Sequence, residues 1–364
     1  MADEPAADKQ AADATPWTAL HDRLHRTLRQ RSLLKPGDRL LVAVSGGQDS
    51  LCLIRLLLDL QPKWGWAVAI AHCNHRWRPD ADANAAHVQQ LAQGWGVPFY
   101  LATAATPPVS EASARTWRYQ ALTDMAQTYG YGAIATGHTA SDRAETLLYN
   151  LIRGSGADGL QALTWQRSLA PGVCLIRPVL DLTRRETADY CQTADLPVWD
   201  DSTNHDWRYA RNRIRNELLP YLQTHFNPQV EQAIAHTAEL LRAEVEYLET
   251  QASELYRRAT YQYATQCATE LADGLPQSTP TVQSTEHPHP GRLNRTVLKA
   301  APLALQRRVI RQFLQDCLAI APTFEHIEKS VGLISAPNHS QTDPFPGGAI
   351  ACVEGDWIIL RNRN

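Results

Sequence analysis

The chain has 364 residues, 44% of them apolar, with 35 basic and 38 acidic side chains and a net charge of −3. That length suits two or three domains; no apolar run approaches the roughly 20 residues a membrane span requires, so a membrane protein is excluded. The near-neutral balance excludes a globally basic nucleic-acid binder, and seven cysteines without C-x-x-C spacing suit a reducing cytoplasm better than a disulfide framework.

Residues 1–16 contain acidic residues and lack an apolar core, so they read as a disordered tail and match neither a secretory signal nor an Arg-rich transit peptide. Leu20, Leu24 and Leu28 then recur at helical spacing and predict a leading helix over 17–31. Next comes the stretch that organises the chain. LLVAV (40–44) reads as a buried strand, SGGQDS (45–50) as a turn, and Leu51, Ile54, Leu57 and Leu58 as a helix. A Gly-rich turn between strand and helix lets backbone N–H groups close on an anion while the helix dipole points at it. Ser45, Gly46, Gly47, Gln48, Asp49 and Ser50 therefore form a candidate phosphate cradle, without the Lys that a Walker-type loop requires.

Strands over 66–72, 97–102 and 132–136 alternate with helices over 85–95 and 113–129, which predicts an α/β fold with a doubly wound parallel sheet. Ligands of such sheets lie beyond the carboxyl ends of the strands, where SGGQDS, HCNH (72–75) and 137–142 all fall. His72 and His75 invite a zinc reading, but no second ligand pair of zinc spacing follows; a nucleotide-facing loop and a structural loop are the two other readings.

TGHTASDRAETLLYNLIRGSGADGL (136–160) carries the strongest signal. Asp142 and Glu145 sit three apart near the start of a predicted helix, on a face that Tyr149 continues, where carboxylates can hold a cation or take protons. Gly154, Gly156 and Gly159 spell G-x-G-x-x-G but follow a helix instead of a strand; they read as a helix stop, not a dinucleotide site. Further on, Arg208, Arg211, Arg213 and Arg215 interleave with Trp207, Tyr209, Asn212 and Asn216, a composition suited to RNA or nucleotide phosphate. A long amphipathic helix over 230–261, a Pro/Ser/Thr/His-rich loop over 274–291, a helix over 292–317 bearing Arg307, Arg308 and Arg311, and a hairpin near 345–360 complete the chain.

Five ordered motifs, SGGQDS, HCNHRWR, EASARTWRYQAL, GHTASDRAETLLYNLIRGSGADGL and DDSTNHDWRYARNRIRNELLP, closely resemble those of the bacterial tRNA(Ile)-lysidine synthetases, within the PP-loop N-type ATP pyrophosphatases. The resemblance implies a PP-loop catalytic domain over 17–225, a linker helix over 226–262, and a mainly helical tRNA-binding domain over 263–364 with a terminal hairpin. About 140 residues follow Tyr221, which suits the shorter members of the family. The implied reaction is a ligation: ATP adenylates the wobble cytidine of tRNA(Ile) with a CAU anticodon, and free L-lysine displaces AMP to form lysidine. SGGQDS and His72 would bind ATP, with Asp49 on magnesium (Mg2+). Asp142 and Glu145 would receive the lysine ammonium, and Arg115 and Arg118 would stabilise developing charge. His138 would orient its loop or serve structure alone, and Arg208, Arg211, Arg213 and Arg215 would bind tRNA. A tRNA thiolase on the same scaffold and a noncatalytic RNA-binding relative are the competing readings.

Overall fold

Leu40, Leu41 and Val42 are fully buried on both sides of one strand, as expected of the centre of a parallel sheet covered by helices on each face. The computed structural model describes residues 17–200, 207–272 and 291–362, with the side chains of 261–272 and of Asn362 excepted. The expected tail over 1–16, most of the loop over 274–291 and the first residues of the segment that precedes Trp207 lie outside them.

After α1 (Ala19–Gln30) the chain runs β1 (Arg39–Ala43), α2 (Gln48–Trp64), β2 (Ala67–Asn74), α3 (Ala81–Gly94), β3 (Phe99–Thr103), α4 (Glu111–Tyr129), β4 (Ala133–Thr136) and α5 (Ala140–Ile152). A short α6 (Ala157–Leu160) leads to a hairpin of β5 (Gln166–Ala170) and β6 (Val173–Ile176), then α7 (Arg184–Thr193). The sheet order is β3-β2-β1-β4-β6-β5, parallel except for β5, which pairs antiparallel with β6 at the edge. The expected doubly wound parallel sheet is present, and the β5–β6 hairpin adds an antiparallel edge whose polar outer strand carries none of the continuous apolar pattern that marks a buried strand.

Alternate residues of each strand enter opposite layers. Leu40, Val42, Val68 and Ile70 face the core built on α2, whereas Leu41, Ala69, Ala71 and Ile134 face the one built on Leu122, Met125 and Ala126 of α4. Helix α2 is buried nearly all round, with Leu51, Leu53, Ile54, Leu56, Leu57 and Leu60 at 0% exposure. The helix that starts at the cradle is thereby fixed in the core. The strand order reverses at β1, with β2 on one side and β4 on the other, so the crevice where such sheets bind ligands opens at the ends of β1 and β4.

The segment after α7 folds as α8 (Ala210–Arg213), a π-helical turn (Ile214–Leu218) and α9 (Leu219–His225), followed by α10 (Val230–Ala272). Contacts divide the chain into compact units at Arg242/Ala243, within α10. That helix occupies most of the stretch expected as a linker over 226–262. The second unit packs Ala252, Leu255 and Ala259 of α10 around Phe313, Ile310 and Ile358. It adds β7 (Arg292–Asn294), α11 (Arg295–Lys299), α12 (Leu303–Cys317), α13 (Phe324–Gly332), β8 (Ala349–Glu354) and β9 (Trp357–Asn362), the strands ordered β7-β9-β8. Hairpin β8–β9 matches the alternation of its sequence, Ala349, Ala351 and Val353 pointing inward; β7 was too short to carry a period. Arg307 pairs with Glu328 at 2.6 Å, and Arg308 and Arg311 both pair with Glu249.

Candidate functional site

The cradle is held from below. Ser50 Oγ donates to the Gly47 carbonyl at 2.8 Å and accepts from the Ser45 N–H at 3.1 Å, which closes the turn on itself. Gly47 caps α2 without a side-chain bond, so the helix start keeps unsatisfied donors facing the crevice. Gly46 has φ +90°, and a Cβ there would lie 2.5 Å from Asn84 Oδ1; only glycine fits. Asn84 also donates to the Ser45 carbonyl at 3.0 Å, and the Trp199 N–H donates to the Gly46 carbonyl at 2.9 Å.

Asp49, on the first turn of α2, is bonded by the Thr187 hydroxyl and lies 3.3 Å from Arg184 Nη1. Burial pushes its carboxyl above the ordinary range, with Arg184 opposing. Gln48 turns away and donates to the Arg184 carbonyl at 2.7 Å. Helix α7 thus braces the cradle. Arg184 and Thr187 escaped the sequence analysis, although a Thr183-x-x-Glu186 capping box after a strand end was the available signal.

The loop from β4 brings the second group of residues. Gly137 sits so close to α2 that a Cβ would fall 2.8 Å from the Asp49 carbonyl carbon and oxygen and 2.9 Å from the Ser50 nitrogen. Thr139 caps α5, and Asp142 Oδ2 accepts from the Thr139 N–H at 2.8 Å and hydroxyl at 2.9 Å. An ordinary acidic first turn and a site carboxylate are therefore one residue: Oδ2 caps the helix, while Oδ1 lies 3.4 Å from Arg215 Nη2. Glu145, one turn on, is 2% exposed and accepts from Arg215 Nε at 2.6 Å and Nη2 at 2.9 Å. Burial raises the Glu145 carboxyl, and the Arg215 bonds oppose this without cancelling it. Tyr149 continues this face one turn further along α5 and accepts from Arg153 Nη1 at 2.8 Å.

His138 Nδ1 and Thr136 Oγ1 are 2.9 Å apart. Burial first, then Arg177, Arg115 and Arg118, outweigh the pull of Asp142 and drive the His138 pKa down to about 3, so the ring is neutral at physiological pH. Arg118 donates from Nε to His75 Nε2 at 3.1 Å, and the Arg115 guanidinium lies 5.2 Å from the Tyr119 ring centre.

These elements enclose a cavity of about 470 Å³, lined by the cradle together with Asp142, His138, Arg118 and Arg215. A second, of about 130 Å³, is lined by Glu145, Arg115 and Arg211. Asp142, His138, Arg118 and Arg215 line both, so Asp49 and Glu145 open onto adjoining spaces.

Other expected residues fall differently. His72 lines the larger cavity but stands within β2, 4% exposed, its Nδ1 2.8 Å from the Val44 carbonyl; the strand runs past it to Asn74, which corrects its placement in a strand-end loop. Of the four arginines expected on tRNA, Arg215 is drawn into the carboxylate pair and Arg211 lies 3.5 Å from Glu111, while Arg208 and Arg213 are exposed. Their spread of directions follows from the two-residue spacing, which on a helix turns Arg211 and Arg213 to nearly opposite sides. Among the described residues no cluster of three His, Cys, Asp or Glu side chains is placed to hold a metal, so the zinc reading has no ligand set there. No described helix is long and apolar enough to cross a membrane.

A family profile described as a PP-loop domain matches residues 18–222, and one described as a TilS substrate binding domain matches 293–356. The tRNA(Ile)-lysidine synthase of Nostoc sp. is 63% identical over 347 residues, spanning 95% of this chain and 98% of that protein. That of Synechocystis sp. is 50% identical over 348 residues, spanning 94% and 97%. Among solved structures, the U34-tRNA thiolase NcsA from Methanococcus maripaludis superposes with a TM-score of 0.52 at 15% identity, over 61% of this chain and 78% of that one, a likeness of fold alone.

Proposed function

The chain belongs to the tRNA(Ile)-lysidine synthase family, and from that premise we propose that it joins free lysine to C2 of the wobble cytidine of CAU-anticodon tRNA(Ile) at the expense of ATP. It is a carbon–nitrogen ligase built on an ATP-using PP-loop domain. The observation that carries the finer reading is the position of Asp142, on the wall between the phosphate cradle and the space that holds Glu145.

In the first step the cytidine C2 oxygen attacks the α-phosphorus of ATP and pyrophosphate leaves. The N–H groups of 45–50 and the start of α2 receive the phosphates. Magnesium would be held by Asp49, which lines the cavity beside the cradle, since this hard cation takes one or two carboxylates and completes its shell with phosphates and water. It would neutralise the triphosphate. In the second step the lysine ε-amine attacks C2, the C2–O bond breaks, and the oxygen departs with AMP.

Asp142 and Glu145 receive the lysine ammonium, which shares their charge with Arg215, and one carboxylate takes a proton so that the amine can attack. Burial of Glu145 supports this, since it raises the carboxyl toward the range in which a proton can be held. Arg115 and Arg118 face the charge that develops as AMP leaves. Neutral His138 orients Thr136 and the β4 loop. Arg208, Arg211 and Arg213 contact the tRNA backbone, whereas Arg215 serves the amino-acid seat. Scattered free cysteines accord with work in the cytoplasm.

Mass spectrometry of a tRNA(Ile) transcript tests the reading. Incubation with ATP, magnesium and lysine should add one lysyl residue at the wobble cytidine, with none added when lysine is omitted. Asp142→Ala and Glu145→Ala should each lower the rate by roughly 10²–10³-fold. Full incorporation by both variants would refute the assigned roles.

A further inference from the structure

The cradle and the carboxylates account for ATP and lysine, yet a reaction at C2 also needs the cytosine ring out of its stack and held still between them. Enzymes that act on a base extrude it, and recover part of the cost of unstacking by stacking it on an aromatic or apolar side chain. Trp77 is the tryptophan shared by the walls of both cavities, and it is 39% exposed.

Its orientation is built in. Arg76 has φ +57°, a left-handed turn that a side chain bearing a Cβ adopts reluctantly; its N–H is held by Asn74 Oδ1 at 2.9 Å, and Asn74 in turn donates to Asp82 at 2.7 Å. This kink at the end of β2 turns Trp77 toward the crevice. The indole N–H donates to the Pro108 carbonyl at 2.5 Å, which ties the ring to the loop before α4. His75 lies beside it, ring centres 5.8 Å apart, and is wedged in turn against Trp117 at 4.8 Å. Arg118 donates to His75 and so keeps a guanidinium next to the same platform. The indole's one polar group is satisfied by protein, so the ring has only apolar surface to offer a ligand.

We propose that Trp77 is the stacking platform for the target cytidine, holding the base where C2 meets the α-phosphorus on one side and the lysine amine on the other. The proposal rests on the lysidine-forming reading of the site. The adenine of ATP is the other base an indole there could stack. Trp77 favours the cytidine because it also borders the smaller space, with Glu145 and Arg115, which the cradle residues do not reach.

Trp77→Ala and Trp77→Phe test this in the full chain. Stacking of a base on an aromatic side chain is lost on truncation, so Trp77→Ala should lower kcat/KM for tRNA by roughly 10- to 100-fold and leave the KM for ATP and for lysine unchanged, while Trp77→Phe retains most of the activity. With a fluorescent cytidine analogue at the wobble position, the emission quenched on binding the unaltered enzyme should persist unquenched with Trp77→Ala and be quenched again with Trp77→Phe. A rise in the KM for ATP with tRNA parameters unchanged would overturn the proposal in favour of adenine stacking. Unchanged tRNA kinetics in Trp77→Ala, or an analogue that is not quenched by the unaltered enzyme, would overturn it outright. Should Trp77→Ala fail to fold, Trp77→Phe and the quenching of the unaltered enzyme decide by the same criteria. Lysidine formation by the unaltered enzyme, measured alongside, separates this failure from failure of the underlying reading.

Discussion

The cradle and the carboxylate pair face adjoining cavities and solve opposite electrostatic problems. At the cradle, positive potential comes from backbone N–H groups of a helix start that no side chain caps. Such groups carry partial charges and tolerate exposure to water. On α5, two carboxyl groups stand one turn apart, one of them 2% exposed, and Arg215 lies across both. A buried carboxylate without a counter-charge is costly, so Arg215 stays on the α5 pair as Arg184 stays 3.3 Å from Asp49 beside the cradle.

Removing that cation gives the largest expected effect. Arg215→Gln leaves Glu145 buried and uncompensated, which should cost about 3–5 kcal/mol in urea denaturation at pH 8. Glu145 has a raised carboxyl, so its folded form holds the proton more tightly than the unfolded chain, and stability falls as pH rises from the unfolded value through the folded one. Without Arg215 that window moves upward. The deficit of the variant should therefore shrink toward pH 5, and an equal deficit at both pH values would remove Arg215 as the counter-charge.

The cradle should respond to shape instead. Gly137→Ala drives a Cβ into the Asp49 and Ser50 backbone and must shift one element against the other. A displacement of that kind is worth about 10²-fold in kcat/KM for ATP. The KM for lysine should move far less, and equal loss for both substrates would mean the two seats are not mechanically separate.

The smallest effect belongs to the far side of α5. Arg143, 3% exposed, donates to Glu239 at 2.8 Å, and Arg31 and Trp165 bond the same carboxylate. Burial works against ionisation of Glu239, but Arg143 and Arg31 prevail and lower its pKa to about 2. Its contribution is present above pH 4.5, the ordinary value, and is lost as pH falls through about 2. Glu239→Gln should lose roughly 2 kcal/mol at pH 7 and unfold less steeply with acid between those values. An acid-unfolding profile identical to that of the parent would show that the network is not what anchors α5.

Much of the site was legible because adjacent residues make it. A strand, two glycines and a helix specify a cradle locally, and three-residue spacing puts Asp142 and Glu145 on one face whatever the rest of the chain does. Thr139-x-x-Asp142 was equally readable as a cap. The partners were not readable, because Arg184 lies 135 positions and Arg215 70 positions or more from the carboxylates they meet. The hairpin of β5 and β6 escaped for a different reason: an edge strand with one face in water carries too little apolar pattern to be told from a loop.

By itself, then, the order of residues determined the alternation of strands and helices, the ends at which ligands gather and the chemical types available there, since each depends on contacts within a few residues. Only tertiary structure decided that Arg215 turns inward while Arg208 and Arg213 stay exposed, that the His72 ring rests against the Val44 carbonyl, and that Gly137 touches α2. Those outcomes turn on which side chain best satisfies a buried charge or fits a gap between distant segments, and that competition is resolved only when the segments meet.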